Sequence, residues 1–182
     1  MLDFLNARTD IRRKAGEIYG AIVAQARRPV FYAELGVPDT PSGRYEMVVI
    51  HLFLVIEQLR AVADAASPLP RLLVEAFISD MDDSLREMGT GDLSVPKKVR
   101  RAATGLYERS MAYKSALEHS DMDSLTAVLM EHVYGDVAAP RARALADYMR
   151  TAAAAMAATD ADRMIDGTFA FPAATVASTE TK

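Results

Sequence analysis

The chain has 182 residues and a mass of 19.8 kDa, enough for one domain that buries about 70% of its unfolded surface without covalent staples. Hydrophobic residues make up 51%, charged residues 25%, and cysteine is absent, which excludes a disordered chain, disulfides, thiolate metal sites and cysteine nucleophiles. A net charge of −4 and only three histidines argue against a DNA-binding protein and against an all-protein metal centre.

The N-terminus lacks the basic region and unbroken apolar stretch of a signal peptide, and it is not an Arg- and Ser-rich transit peptide. The longest apolar run, from Met47 to Ile56, is interrupted by His51 and falls short of a membrane span. A soluble bacterial chain kept in the cytoplasm is expected.

Apolar spacing is helical nearly throughout, and no strand alternation is found. A first helix is predicted over residues 9–27, with Ile11, Ala15, Ile18, Ile22 and Ala26 on one face and Thr9 or Asp10 as cap. Residues 29–43 hold three prolines and two glycines and read as a long loop carrying Phe31 and Tyr32. The second helix starts at Pro41 or Arg44, after Thr40 as cap, and reaches residue 65. Its middle is apolar all round, which places it at the centre of the domain.

A third helix covers residues 70–88 and ends at Gly89. A fourth covers 95–119, a fifth runs from a cap at Ser120 or Asp121 to about Gly135, and a sixth covers 141–158. Asp160 can cap one more turn, and from Gly167 a frayed tail offers Phe169 and Phe171 for docking. The fold class expected is all-α, a single-domain bundle of six to seven helices. Its parts are a lead-in over 1–13, a helical domain over 14–158 and a flexible tail over 159–182.

Charge is zoned. Residues 1–28 carry six basic and three acidic groups, and residues 96–119 carry six basic and two acidic groups. Residues 29–95 carry four basic against eleven acidic groups, and residues 120–182 five against nine. Basic and acidic helices either complement one another inside the bundle or leave a bipolar surface for a charged partner. Lys97, Lys98, Arg100 and Arg101 open the fourth helix against its macrodipole, which calls for acidic neighbours in the fold or an acidic partner outside it.

The densest polar cluster is Glu75, Asp80, Asp82, Asp83, Arg86 and Glu87. Asp80, Asp83 and Glu87 share a helix face, and Asp82 can pair with Arg86 four residues on. Carboxylates on one face could hold Mg²⁺ and a prenyl diphosphate if a second acidic cluster faced them, but only the scattered Asp121, Asp123 and Glu131 are at hand. A solvated, ion-paired face is the simpler interpretation. His51 is either a core histidine satisfied by a neighbour or a ligand without a visible second ligand. Most of the ten methionines fall on helical stripes and belong to the core, although Met-lined grooves also suit apolar helical clients. No Ser-His-Asp order, nucleophile elbow or phosphate-cradling glycine loop occurs.

Several motifs recur in order: Leu35-Gly36-Val37-Pro38-Asp39-Thr40 with Gly43-Arg44-Tyr45-Glu46, then His51-Leu52-Phe53-Leu54, Asp80-Met81-Asp82, Ser84-Leu85-Arg86-Glu87-Met88-Gly89, Gly91-Asp92-Leu93 and Val95-Pro96-Lys97-Lys98-Val99. With these the chain resembles the ubiquinol–cytochrome c chaperone family over residues 14–150. The resemblance implies an assembly factor for the cytochrome bc complex, with newly made cytochrome b as client. It further implies a ribosome contact or a partner assembly factor, and a peripheral position on the cytoplasmic face of the inner membrane. It brings no catalytic residue, metal or cofactor.

The contact residues expected are Phe31, Tyr32, Asp39, Arg44, Tyr45, Asp80, Asp82, Lys97, Lys98 and Arg101, around an apolar, Met-lined groove with charged rims. The alternatives are a Mg²⁺-dependent prenyl-diphosphate enzyme using Asp80 and Asp83, and a lipid- or quinone-binding bundle with one deep cavity.

Overall fold

The computed structural model describes residues 2–119, 121–135 and 141–175, with side chains described from residue 9 onward. Over these the chain is all-α. The elements are α1 (Leu2–Ala26), α2 (Pro29–Ala33), α3 (Pro41–Val62), α4 (Leu69–Glu87), α5 (Val95–Glu118), α6 (Met122–Leu129), α7 (Ala142–Ala157) and α8 (Ala161–Asp166). A π-helical turn, Met130–Tyr134, continues α6.

α3 is the axis of the bundle. It packs against α1, α4, α5, α7, α8 and the π turn. Its residues from Glu46 to Ile56 are all buried, as the unbroken apolar run requires. The other long helices form a ring around it: α1 meets α4, α4 meets α5, α5 meets α6 and α6 meets α7. A hydrogen bond from Gln25 Nε2 of α1 to the Tyr148 hydroxyl of α7, 3.0 Å, joins the ends of that ring.

Local chemistry sets the helix starts. Thr40 is extended, and its side-chain oxygen accepts from the Gly43 N–H at 3.1 Å, with Pro41 in the first turn. Gly43 is needed there, because a Cβ would stand 1.9 Å from the Pro38 carbonyl oxygen. Asp121 caps α6 by accepting from the Ser124 N–H at 2.8 Å.

Three expectations change. The long loop over 29–43 contains a short helix, α2, started by Pro29 after the extended Arg28. It turns Phe31 inward, so Phe31 is fully buried and is not a surface contact residue. The fifth predicted helix loses α-pitch at Met130 and finishes as the π turn. At the N-terminus, α1 is already helical at Leu2 and runs unbroken past residue 13.

After α7, Met164 of α8 is fully buried. The tail docks as its aromatics suggested: the Phe171 ring meets the His51 ring edge-on at 5.0 Å, with Phe169 against Phe171.

Candidate functional site

A groove of about 380 Å³ opens between α3, α4 and α5. Tyr45 and Val48 of α3, Met81 and Leu85 of α4, and Ala102 of α5 form its largely apolar floor. Met88, 57% exposed, stands at its α4 end. Arg27, Arg44 and Lys98 border it with positive charge, and Asp80 and Glu87 with negative charge. The lining includes exposed side chains on three helices, so this is an open trough and not a deep closed cavity.

The walls are held by polar contacts that reach across helices. Glu46 is one residue beyond Tyr45 on α3 and only 2% exposed. Arg109 of α5 grips its carboxylate in bidentate fashion, Nε to Oε2 and Nη2 to Oε1, both 2.6 Å. Burial lifts the Glu46 carboxyl above its ordinary pKa, and the Arg109 guanidinium works against that rise.

Arg109 also lies over the Tyr45 ring, 5.4 Å from its centre. The Tyr45 hydroxyl donates to the Ala102 carbonyl at 2.9 Å. Gly105 makes this closeness possible: a Cβ there would stand 2.7 Å from the Tyr45 hydroxyl and 2.9 Å from Arg109 Nη1. On the opposite wall, the Tyr19 hydroxyl donates to Asp80 Oδ2 at 2.8 Å and fixes α1 to α4.

Of the expected contact residues, Arg44, Tyr45, Asp80 and Lys98 come together in the groove. Asp39 accepts from Arg44 Nε at 2.7 Å, which holds its carboxyl below the usual carboxylate range. Arg101 lines a neighbouring, more polar hollow with Lys98, Gly105, Arg109 and His132. Asp82 pairs with Arg86 at 2.6 Å, the four-residue pairing expected of it. Lys97 is exposed, and Tyr32, half-buried, donates to the Ala26 carbonyl at 2.8 Å.

Arg27, Val48, Leu85, Glu87 and Met88 line the groove without having been singled out as contacts. Leu85 and Met88 share the apolar stripe of α4 with core residues, and only the suitability of Met-lined grooves for apolar helical clients points the other way.

His51 is a satisfied core histidine. A carbonyl only accepts, so Nδ1 carries the hydrogen toward Met47 O at 2.7 Å, and Nε2 accepts from the Tyr148 hydroxyl at 2.8 Å. Complete burial pushes its pKa down to about 4. Among the described residues no three His, Asp or Glu side chains are grouped to hold a metal ion, so Asp80 and Asp83 face no second acidic cluster. No helix among them is long and apolar enough to cross a membrane.

A family model described as ubiquinol-cytochrome C chaperone matches residues 33–171. The crystal structure of the Cbp3 homolog from Brucella abortus superposes with a TM-score of 0.84 at 31% identity, covering 95% of this chain and 97% of that one. No curated protein sequence matches the chain.

Proposed function

Because the chain belongs to the ubiquinol–cytochrome c chaperone family, we propose that it assists assembly of the cytochrome bc complex by holding newly made cytochrome b, or a similar apolar helical client, in the groove between α3, α4 and α5. The observation that carries this reading is the groove's construction: an apolar floor that includes Met81, with Met88 at one end and charges of both signs on its rims. An amphipathic or apolar helix docks into such a trough by its side chains at helical spacing. Methionine adapts to differing client side chains because its chain is unbranched and polarizable. The rim charges set orientation and encounter rate more than affinity.

The action is binding and release, with no covalent step. It takes place on the cytoplasmic side of the membrane into which the client is inserted. A ribosome or a partner assembly factor is the expected neighbour there. The open trough offers no enclosed chamber for a quinone or prenyl chain, so the helix-holding role is favoured over a small-ligand one.

The test is site-specific photo-crosslinking from Met88 and Leu85 in cells that make the cytochrome bc complex. Crosslinks from both positions to cytochrome b are expected. Crosslinks to cytochrome b from the far side of the bundle only, for example from Arg143, would overturn the assignment of the groove.

A further inference from the structure

Four large apolar side chains are exposed among the described residues: Met88 at 57%, Leu93 at 99%, Tyr107 at 68% and Met111 at 54%. Met88 caps α4 at the end of the groove, whereas Leu93 lies on the turn that leads into α5, and Tyr107 and Met111 lie on α5 itself. The same stretch carries Lys97, Lys98, Arg100 and Arg101, all exposed. Among the described residues none of these four forms an ion pair; Lys98 donates only to the Thr90 hydroxyl, at 3.1 Å. Among the described residues no carboxylate pairs with these cations, although Glu108 lines the hollow beside Lys98 and Arg101. The nearby Asp82 and Asp92 are both engaged by Arg86, at 2.6 and 2.8 Å.

Steps of three and four residues place Lys97, Arg100, Arg101, Tyr107 and Met111 along one side of α5. The opposite side, with Val95, Leu106, Tyr113 and Ala116, is buried in the bundle. This outward side is not the groove, which α5 touches only through Lys98 and Ala102.

We propose that the outward face of α5, led by Leu93, is a docking surface for a bilayer containing anionic phospholipid. Unpaired cations call for an anionic partner, and clustered Lys and Arg beside a membrane are drawn to acidic headgroups. The protruding apolar groups decide which anionic partner. Leu93 protrudes, and Met111 lies beside Tyr107 at the edge of a hollow lined by Phe53, Ile56 and Val74. The phosphate backbone that such cations meet on a nucleic acid is polar, whereas a bilayer interface admits apolar side chains to a shallow depth. Tyr107 has the apolar ring and polar tip that suit the headgroup level. Two acids, Glu108 and Glu118, share the outer side, so the attraction is centred on the first two turns. The inference extends the proposed peripheral location by giving it a surface. It leaves the client groove free, so the two stand or fall separately.

The test uses the full chain with vesicles of phosphatidylcholine, with and without phosphatidylglycerol. Binding is expected only with phosphatidylglycerol and should weaken as salt rises. Each cation removed costs about fivefold in vesicle affinity, so Lys97→Gln/Arg100→Gln/Arg101→Gln should lose about a hundredfold while its melting temperature is unchanged. The chain has no tryptophan, so Leu93→Trp is a clean reporter whose emission should shift to the blue on phosphatidylglycerol vesicles. Equal binding to neutral vesicles, no binding to anionic ones, or an unshifted Leu93→Trp emission would overturn the proposal. Absence of binding to anionic vesicles would assign the cations to an acidic protein or RNA instead, and an unshifted emission would mean that residue 93 does not enter the bilayer. Crosslinking of cytochrome b from the groove in the triple variant reads the client site independently.

Discussion

Replacing Arg109 with methionine removes one half of the ion pair that ties α3 to α5 behind the groove. The partner, Glu46, is 2% exposed and receives two hydrogen bonds of 2.6 Å from the guanidinium. Breaking a buried pair from one side costs about 3–5 kcal/mol, mostly because the remaining charge is stranded. The Arg109 side chain keeps 21% of its surface in water, which places the expected loss near the lower end, about 3 kcal/mol.

The origin of that loss has a pH signature. Without the guanidinium, burial raises the Glu46 pKa further above its unfolded value. Stability contributed by a carboxyl with a raised pKa is present at low pH and is lost as pH rises through the folded-state value. The penalty of Arg109→Met, measured as its difference from the unchanged chain, should therefore be largest near neutrality and shrink at about pH 4, near the unfolded glutamate pKa. Adding Glu46→Met should restore most of the stability, since an apolar pair of similar volume strands no charge. Urea melts followed by far-UV circular dichroism at both pH values read all three chains. A loss below about 1 kcal/mol at neutral pH, as for exposed pairs, or a penalty that does not shrink in acid, would refute this account.

Other substitutions test other joints. His51 has a folded pKa of about 4 against about 6.5 unfolded. The unfolded chain takes up that proton first, so stability should be full above about pH 6.5 and fall as pH drops toward 4, by about 3 kcal/mol in all. His51→Gln should flatten that part of the pH profile, and an unchanged slope would contradict the neutral assignment. Gly43→Ala drives a methyl group against the Pro38 carbonyl oxygen. It should cost roughly 1–3 kcal/mol in urea melts and loosen the Thr40 cap; a neutral result would mean that the loop before α3 yields freely.

The long helices were legible because each buries one stripe at helical spacing. The central place of α3 was legible because Met47–Ile56 has no polar stripe at all. Pitch was not: the π turn at Met130–Tyr134 changes the rise of the chain without altering which residues are apolar. α2 was hidden among prolines that suggested a loop, and with it the burial of Phe31. The candidate groove was half visible. Arg44, Tyr45, Asp80 and Lys98 stood out by charge or by motif, but three helices far apart in sequence bring them together. Glu46 and Arg109 are 63 positions apart, and one charge beside an apolar run was the only sign that a partner was needed. Asp80, noted as a carboxylate on an acidic face, accepts a hydrogen bond from Tyr19 of another helix.

The most direct measurement of the central claim is the fate of newly made cytochrome b in cells that lack this chain. Pulse-labelled cytochrome b should be synthesised normally but fail to accumulate, and a copy carrying Met81→Glu and Leu85→Glu should not restore it. Full accumulation of an assembled cytochrome bc complex in the deletion strain would contradict the claim that this bundle shelters an apolar client.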